Sequence, residues 1–104
     1  MRIWLDDIRP MPEGFTHHCK SAQEAMDLIN ANDVEEISFD YDLGKDEDGN
    51  EVSGYEVAKH IEAGAWFGVI KKMKWNIHSE NPVGIENIKQ VMTNADKYWK
   101  NNKQ

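Results

Sequence analysis

The chain has 104 residues, one cysteine and a net charge of −7 from 19 acidic and 12 basic side chains. That length suits one small domain with one core, so residues 1–104 are read as a single unit, and the acidic balance excludes a general nucleic-acid coat or a binder of anionic membranes, both of which need basic surface. Cys19 alone excludes an internal disulfide, no apolar run approaches the ~20 residues of a membrane span, and Met1 to Asp6 is too short and acidic for a secretory leader, so the expectation is a cytoplasmic protein without membrane contact.

Arg2 to Asp6 reads as a strand that ends in the pair Asp6-Asp7. Ile8 to Gly14 is a loop, because Pro10, Pro12 and Gly14 block a regular helix. Phe15 to Lys20 is a weak second strand. Its direction stays open, since a parallel crossover usually needs a dozen or more residues. Ser21-Ala22-Gln23-Glu24 forms a capping box, opening a helix with Ala22, Ala25, Met26 and Ile29 on one face. Glu36 to Asp40 is a third strand, with Ile37 and Phe39 alternating against Ser38 and Asp40. Asp42 to Glu51 is an acidic hairpin with a turn at Asp48-Gly49. Ser53-Gly54-Tyr55-Glu56 is a second capping box, opening a helix through about Ala63 with Val57, Ala58 and Ile61 inward. Trp66 to Lys72 is a connection. Met73, Trp75 and Ile77 then alternate with Lys74, Asn76 and His78, the period of a strand with one buried face. Asn81 is an N-cap and Pro82 the first helical position. The last helix runs to about Trp99, with Ile85, Ile88, Met92, Ala95 and Trp99 on one stripe, and Lys100 to Gln104 is expected to fray.

Strands that alternate with helices imply an α/β fold with a mostly parallel sheet of about four strands and three helices. One parity class of the strands is polar: Arg2, Ser38, Lys74 and Asn76. A sheet covered on both faces would be almost continuously apolar. One face is therefore expected to be only partly covered. Trp4 lies on it, which leaves it open to solvent or to a second subunit of a homo-oligomer. Asp6, Asp40 and His78 share this parity, each at the end of its strand. Ligands of open α/β sheets bind at that rim, and a helix N-terminus there favours anions.

Acids gathered at one rim, with no basic residue among them in sequence, repel one another unless a cation sits between them. Asp6, Asp7 and Asp40 are the expected ligands. Their hard oxygens suit a divalent cation such as Mg²⁺ rather than zinc. His78 titrates near neutral pH and is the candidate for proton transfer. Arg9 either clamps a phosphate or pairs with Asp6 or Asp7. Ser79, Asn81 and the following helix N-terminus are candidate phosphate contacts. Asp42, Asp46 and Asp48 fail the calcium-loop register, because Gly49 at the sixth position puts Gly44 at the first and Tyr55 at the twelfth. His17, His18 and Cys19 fail as a zinc site, since neighbours on a strand point to opposite faces. They read as solvent-exposed strand residues.

The acidic pair after the first strand, Asp40 after the third and Gly54-Tyr55-Glu56 opening the next helix resemble a response-regulator receiver domain. More closely, LDDIRP, FDYDLG and IHSENPVG, in that order, resemble the cyclic-phosphate processing receiver-like family. The resemblance implies a flavodoxin-like, truncated receiver fold and action on a cyclic phosphate or nucleotide. It places Asp6 and Asp7 on the acidic pair that holds Mg²⁺ in receivers, and Asp40 on the phosphorylated aspartate. His78 falls where receivers keep Ser or Thr. No fifth strand and no lysine at its end follow the last helix, which speaks against phosphosignalling. Three functions remain: metal-dependent hydrolysis of a cyclic phosphate with Asp40 and His78 as catalytic groups, non-catalytic capture of a nucleotide signal, and a degenerate receiver that acts through a partner protein.

Overall fold

The computed structural model describes residues 1–102; for Asn102, only the backbone is described. Strands β1 (Arg2–Leu5), β2 (His17–Cys19), β3 (Glu36–Phe39) and β6 (Lys74–Ile77) form a parallel sheet in the order β2-β1-β3-β6. Helix α1 (Ala22–Ala31) joins β2 to β3, and α2 (Gly54–Phe67) leads into β6. Helix α3 (Pro82–Asn102) follows β6, and no fifth strand joins the sheet among the described residues. The acidic segment forms a separate antiparallel hairpin, β4 (Asp42–Lys45) and β5 (Glu51–Ser53). The Asp46 side chain accepts from the backbone N–H groups of Asp48 and Asn50, closing its turn.

The path through the sheet explains the bare face. The β2-α1-β3 and β3-α2-β6 crossovers move the same way across the sheet, and right-handed crossovers then put both helices on one side. Helix α3 packs against α2 and joins that side. Ile3, Leu5, Ile37 and Phe39 are fully buried beneath them with Val57, Ile61, Ile88 and Met92. Trp99 closes the end of this core and donates its indole N–H to the Ile70 carbonyl at 2.8 Å. The opposite face carries Arg2, Trp4, Ser38, Lys74 and Asn76, and receives no helix among the described residues.

Strand β2 is parallel to β1, which settles its direction. The connection over residues 6–16 contains no helix. It is held instead by Thr16 on Arg2 (N–H to carbonyl, 2.9 Å), by Asp6 N–H on the Cys19 carbonyl (3.0 Å), and by Phe15 packed edge-on against Trp4. This loop covers part of the open face. Cys19 is buried rather than exposed, and burial pushes its thiol up to about 11. His17 and His18 are half-buried.

Two other boundaries differ from the sequence reading. Helix α2 continues past Ala63 to Phe67 and stops at Gly68, whose φ of 74° is left-handed and favours glycine. Ser53 makes no side-chain cap, whereas Ser21 accepts from Glu24 N–H as expected. At the start of α2, Gly54 N–H donates to the Tyr41 carbonyl at 2.7 Å, and a Cβ on Gly54 would collide with the Asp40 carbonyl oxygen. The glycine lets this helix end press directly on the chain that carries Asp40. Helix α3 reaches Asn102, so Lys100 lies within a helix; Lys103 and Gln104 fall outside the described residues.

Candidate functional site

Strands β1, β3 and β6 end side by side, and their next residues are Asp6, Asp40 and His78. The strand ladder carries on through these residues. Asp40 N–H donates to the Leu5 carbonyl and His78 N–H to the Phe39 carbonyl, both at 2.9 Å. Asp6, Asp7 and Asp40 each bring a carboxylate oxygen to within 4.8 Å of the others. The sequence put these acids at one rim, and the parallel register supplies the physical cause.

Asp6 is fully buried and accepts hydrogen bonds at both carboxylate oxygens. Its Oδ1 accepts from Ile8 N–H at 2.8 Å and Arg9 N–H at 2.7 Å. Its Oδ2 meets His78 Nε2 at 3.0 Å and the Arg9 guanidinium at 3.3 Å. Burial alone would raise this carboxyl, but the backbone N–H groups of Arg9 and Ile8, together with His78, hold it below its ordinary value. Asp40 goes the other way. Burial and the neighbouring Asp6 charge raise it, against hydrogen bonds from Ser79 and the Tyr41 backbone.

Asp7 differs from both. Its Oδ1 is buried and has no hydrogen-bond partner. An unpartnered carboxylate oxygen beside two more carboxylates is the environment a hard divalent cation requires. Asp6, Asp7 and Asp40 thus form an acidic cluster that can hold a metal ion. Zinc has no such set here, since His17 Nδ1 bonds Thr16 and His18 Nε2 bonds the Asp6 carbonyl.

Of the two roles open to Arg9, the ion pair with Asp6 is the one this structure forms. Arg9 folds back over the rim, with NH1 at 3.3 Å from Asp6 and 3.9 Å from Asp40, and NH2 at 3.6 Å from Glu80. It pairs with Asp6 and not with Asp7. A shallow cleft of about 370 Å³ opens at this point, lined by Asp6, Ile8, Arg9, Asp40, Asp42, Ser79, Glu80 and Asn81. Four of these residues are acidic and one is basic, so Arg9 leaves most of the negative charge uncompensated.

His78 lies at the rim on the face of Asp6 and Asp40, as its strand parity implies. Its ring does not line the cleft. It stacks on Trp4 with centroids 3.7 Å apart and planes 7° apart, its Nδ1 lies 2.8 Å from Ser38 Oγ, and its Nε2 is on Asp6. Both ring nitrogens are therefore occupied. Burial lowers its pKa, against the pull of the Asp6 charge, which favours the neutral ring. A neutral ring next to an ionised carboxylate carries its proton on Nε2, and Nδ1 then accepts from the Ser38 hydroxyl. Through Nε2 the ring contacts Asp6 directly.

Ser79 and Asn81 are likewise already engaged. Ser79 Oγ accepts from Asn81 N–H at 3.2 Å and bonds Asp40. Asn81 caps α3 as predicted, its Oδ1 accepting from Gly84 N–H at 3.0 Å, while its Nδ2 reaches Asp42 Oδ2 at 3.5 Å. Asp42 lies at the rim, as the acidic strand end Asp40-Tyr41-Asp42 suggests. Ser38, Trp4 and His18 were missed as members of this neighbourhood. For Ser38 and Trp4 the strand parity shared with Asp6 was the available signal; for His18 there was none, because its contact depends on how β2 folds back.

A family model described as cyclic-phosphate processing receiver domain matches residues 1–94. The chain belongs to that receiver family. Neither curated proteins nor solved structures gave a significant match. In this receiver the parallel four-stranded sheet and three helices fit a truncated receiver fold, and the acidic cluster could hold a metal ion. Among the described residues no helix is long and apolar enough to cross a membrane.

Proposed function

We propose that this receiver binds a cyclic phosphate or cyclic nucleotide at a divalent cation held by Asp6, Asp7 and Asp40, and hydrolyses it. The observation that carries the reading is the buried, unpartnered Oδ1 of Asp7, beside the carboxylates of Asp6 and Asp40, which line an open cleft. The family description supports the substrate class. Electrostatics links the two halves of the reading: a phosphate monoanion is repelled from a cleft with four carboxylates and one guanidinium until a cation offsets them.

A divalent cation of this kind would polarise the phosphoryl group or activate a water. The chain's own residues do the rest. Arg9 leaves its weaker contacts with Asp40 and Glu80 to meet a phosphate oxygen, and the α3 N-terminus beside Asn81 adds partial positive charge. His78 keeps Asp6 oriented and ionised.

The second reading, capture without turnover, is favoured by one observation: both nitrogens of His78 are taken, so the rim offers no free imidazole for proton transfer. One experiment separates the two. The protein is incubated with 2′,3′-cyclic and 3′,5′-cyclic nucleotides, with and without Mg²⁺ or Mn²⁺, and the products are separated by chromatography. Hydrolysis is expected only with metal, and Asp7→Asn should abolish it. Metal-dependent retention of intact nucleotide would establish capture. Neither binding nor cleavage for any member of the panel would overturn both readings.

A further inference from the structure

Ile8 is 85 % exposed, the most of any large apolar side chain among the described residues. One exposed isoleucine is ordinary on a protein surface. The position and the hold of this one set it apart. It lines the cleft at the rim, and every other residue of that lining is polar or charged. Its backbone is fixed on both sides. Ile8 N–H donates to Asp6 Oδ1 at 2.8 Å, and Arg9 N–H donates to the same oxygen at 2.7 Å. The Trp4 indole N–H donates to the Arg9 carbonyl at 3.3 Å. The isoleucine is thus held out in water beside Arg9 by a pinned segment of chain.

We infer that Ile8 is the wall on which the nucleobase of a cyclic nucleotide rests, so that the rim selects nucleoside cyclic phosphates over cyclic phosphates without a base. The inference rests on the proposed action at a cyclic phosphate and names the rest of the ligand. The base is the flat, uncharged part of such a molecule, so the acidic rim does not repel it. Covering an exposed aliphatic side chain favours binding in proportion to the apolar area removed from water. The two parts of the ligand fall to neighbouring residues. Consecutive Cα atoms are about 3.8 Å apart, so a phosphate oxygen on Arg9 leaves Ile8 within reach of the other end of the same small molecule. The cleft of about 370 Å³ has the size of a small-molecule site, for which about 300–1,000 Å³ is usual.

The test uses the full chain with Mg²⁺ and two kinds of ligand. One kind is 2′,3′-cyclic AMP and 3′,5′-cyclic AMP; the other is the matching cyclic phosphates of 1,4-anhydroribitol, which lack only the base. Affinity is read as Kd where the ligand stays intact and as KM where it is cleaved. Wild type should hold the nucleotide it accepts about tenfold or more tightly than the base-free match. Ile8→Ser should erase most of that preference by weakening the nucleotide and not the base-free ligand, and Ile8→Leu should keep it. Val69→Ser removes another exposed apolar side chain, 77 % accessible and outside the cleft lining, and should change nothing. Circular dichroism verifies that each variant folds, as expected for exposed sites. A wild type that treats both kinds alike overturns the inference and leaves action on cyclic phosphates standing. So does a preference that survives Ile8→Ser, or an equal loss on both kinds. A protein that neither binds nor cleaves any of the four overturns the underlying reading and this inference with it.

Discussion

His78 Nε2 lies 3.0 Å from Asp6 Oδ2, although the two residues are 72 positions apart in the chain. Ser38 and Trp4 fix the other nitrogen and one face of the same ring. The rim thus contains a buried relay, Ser38 to His78 to Asp6, whose output is the position and charge of one carboxylate. Partners behind a ligand commonly matter nearly as much as the ligand itself.

Ser38→Ala should therefore act on the metal site without touching it. Removing the hydroxyl leaves Nδ1 buried without a donor, which costs about 1–2 kcal/mol of stability. Freeing the ring to turn should weaken divalent-cation affinity roughly tenfold. Calorimetry with Mn²⁺ and a thermal melt measure the two effects separately. Unchanged affinity at a lowered Tm would reduce the relay to a structural contact.

The pH dependence of stability follows from the same ring. The folded-state pKa of His78 is lowered, so below the unfolded value of 6.5 the unfolded chain binds more protons. Stability of the metal-free protein should fall as pH drops below 6.5. Asp6, whose folded pKa is also lowered, adds a second loss as pH falls below its unfolded value of 3.8. Asp40 is raised and contributes with the opposite sign, its cost appearing as pH rises above 3.8. Urea titrations in chelator across this range should show the first limb in wild type and lose it in His78→Gln.

Asp7→Ala should separate metal binding from folding. Removing a carboxylate whose Oδ1 is buried without a partner should stabilise the metal-free protein by about 1 kcal/mol or more. It should also abolish stabilisation by Mg²⁺ or Mn²⁺. Melting curves with metal and with chelator decide the matter; a destabilised metal-free variant would mean that Asp7 supports the fold.

Gly54→Ala should damage the rim from below. The new methyl would strike the Asp40 carbonyl oxygen, and that backbone cannot retreat without disturbing the β3 ladder. A loss of about 3 kcal/mol is expected, in the upper range for overpacking. Any protein that folds should show weakened metal affinity, because Asp40 moves with its backbone. Denaturant unfolding and calorimetry read both.

The sequence by itself determined the elements and the rim. Alternation in Ile37-Ser38-Phe39 and Trp75-Asn76-Ile77 marks strands and their faces, and it places Asp6, Asp40 and His78 on one parity at neighbouring strand ends. The polar class Arg2, Ser38, Lys74 and Asn76 foretold an open face, since too few helices were available to cover it. Helix ends were legible where the signal is local, as at Ser21 and Asn81, and misread where packing decides. Ser53 yields its capping role to the Gly54 contact with Tyr41, and α2 runs past Ala63 to Gly68. Only the tertiary structure decided which groups meet. Strand parity cannot show that the loop over residues 6–16 folds back to bring Arg9 onto Asp6 and to cover Trp4, nor that Trp4 then closes over His78. Those contacts depend on where a helix-free connection comes to rest, and that is set by the neighbours it packs against rather than by its own period. The same physics engages both nitrogens of His78: a ring that looks available along a strand becomes fully bonded once the next strands supply Ser38 on one side and a buried carboxylate on the other.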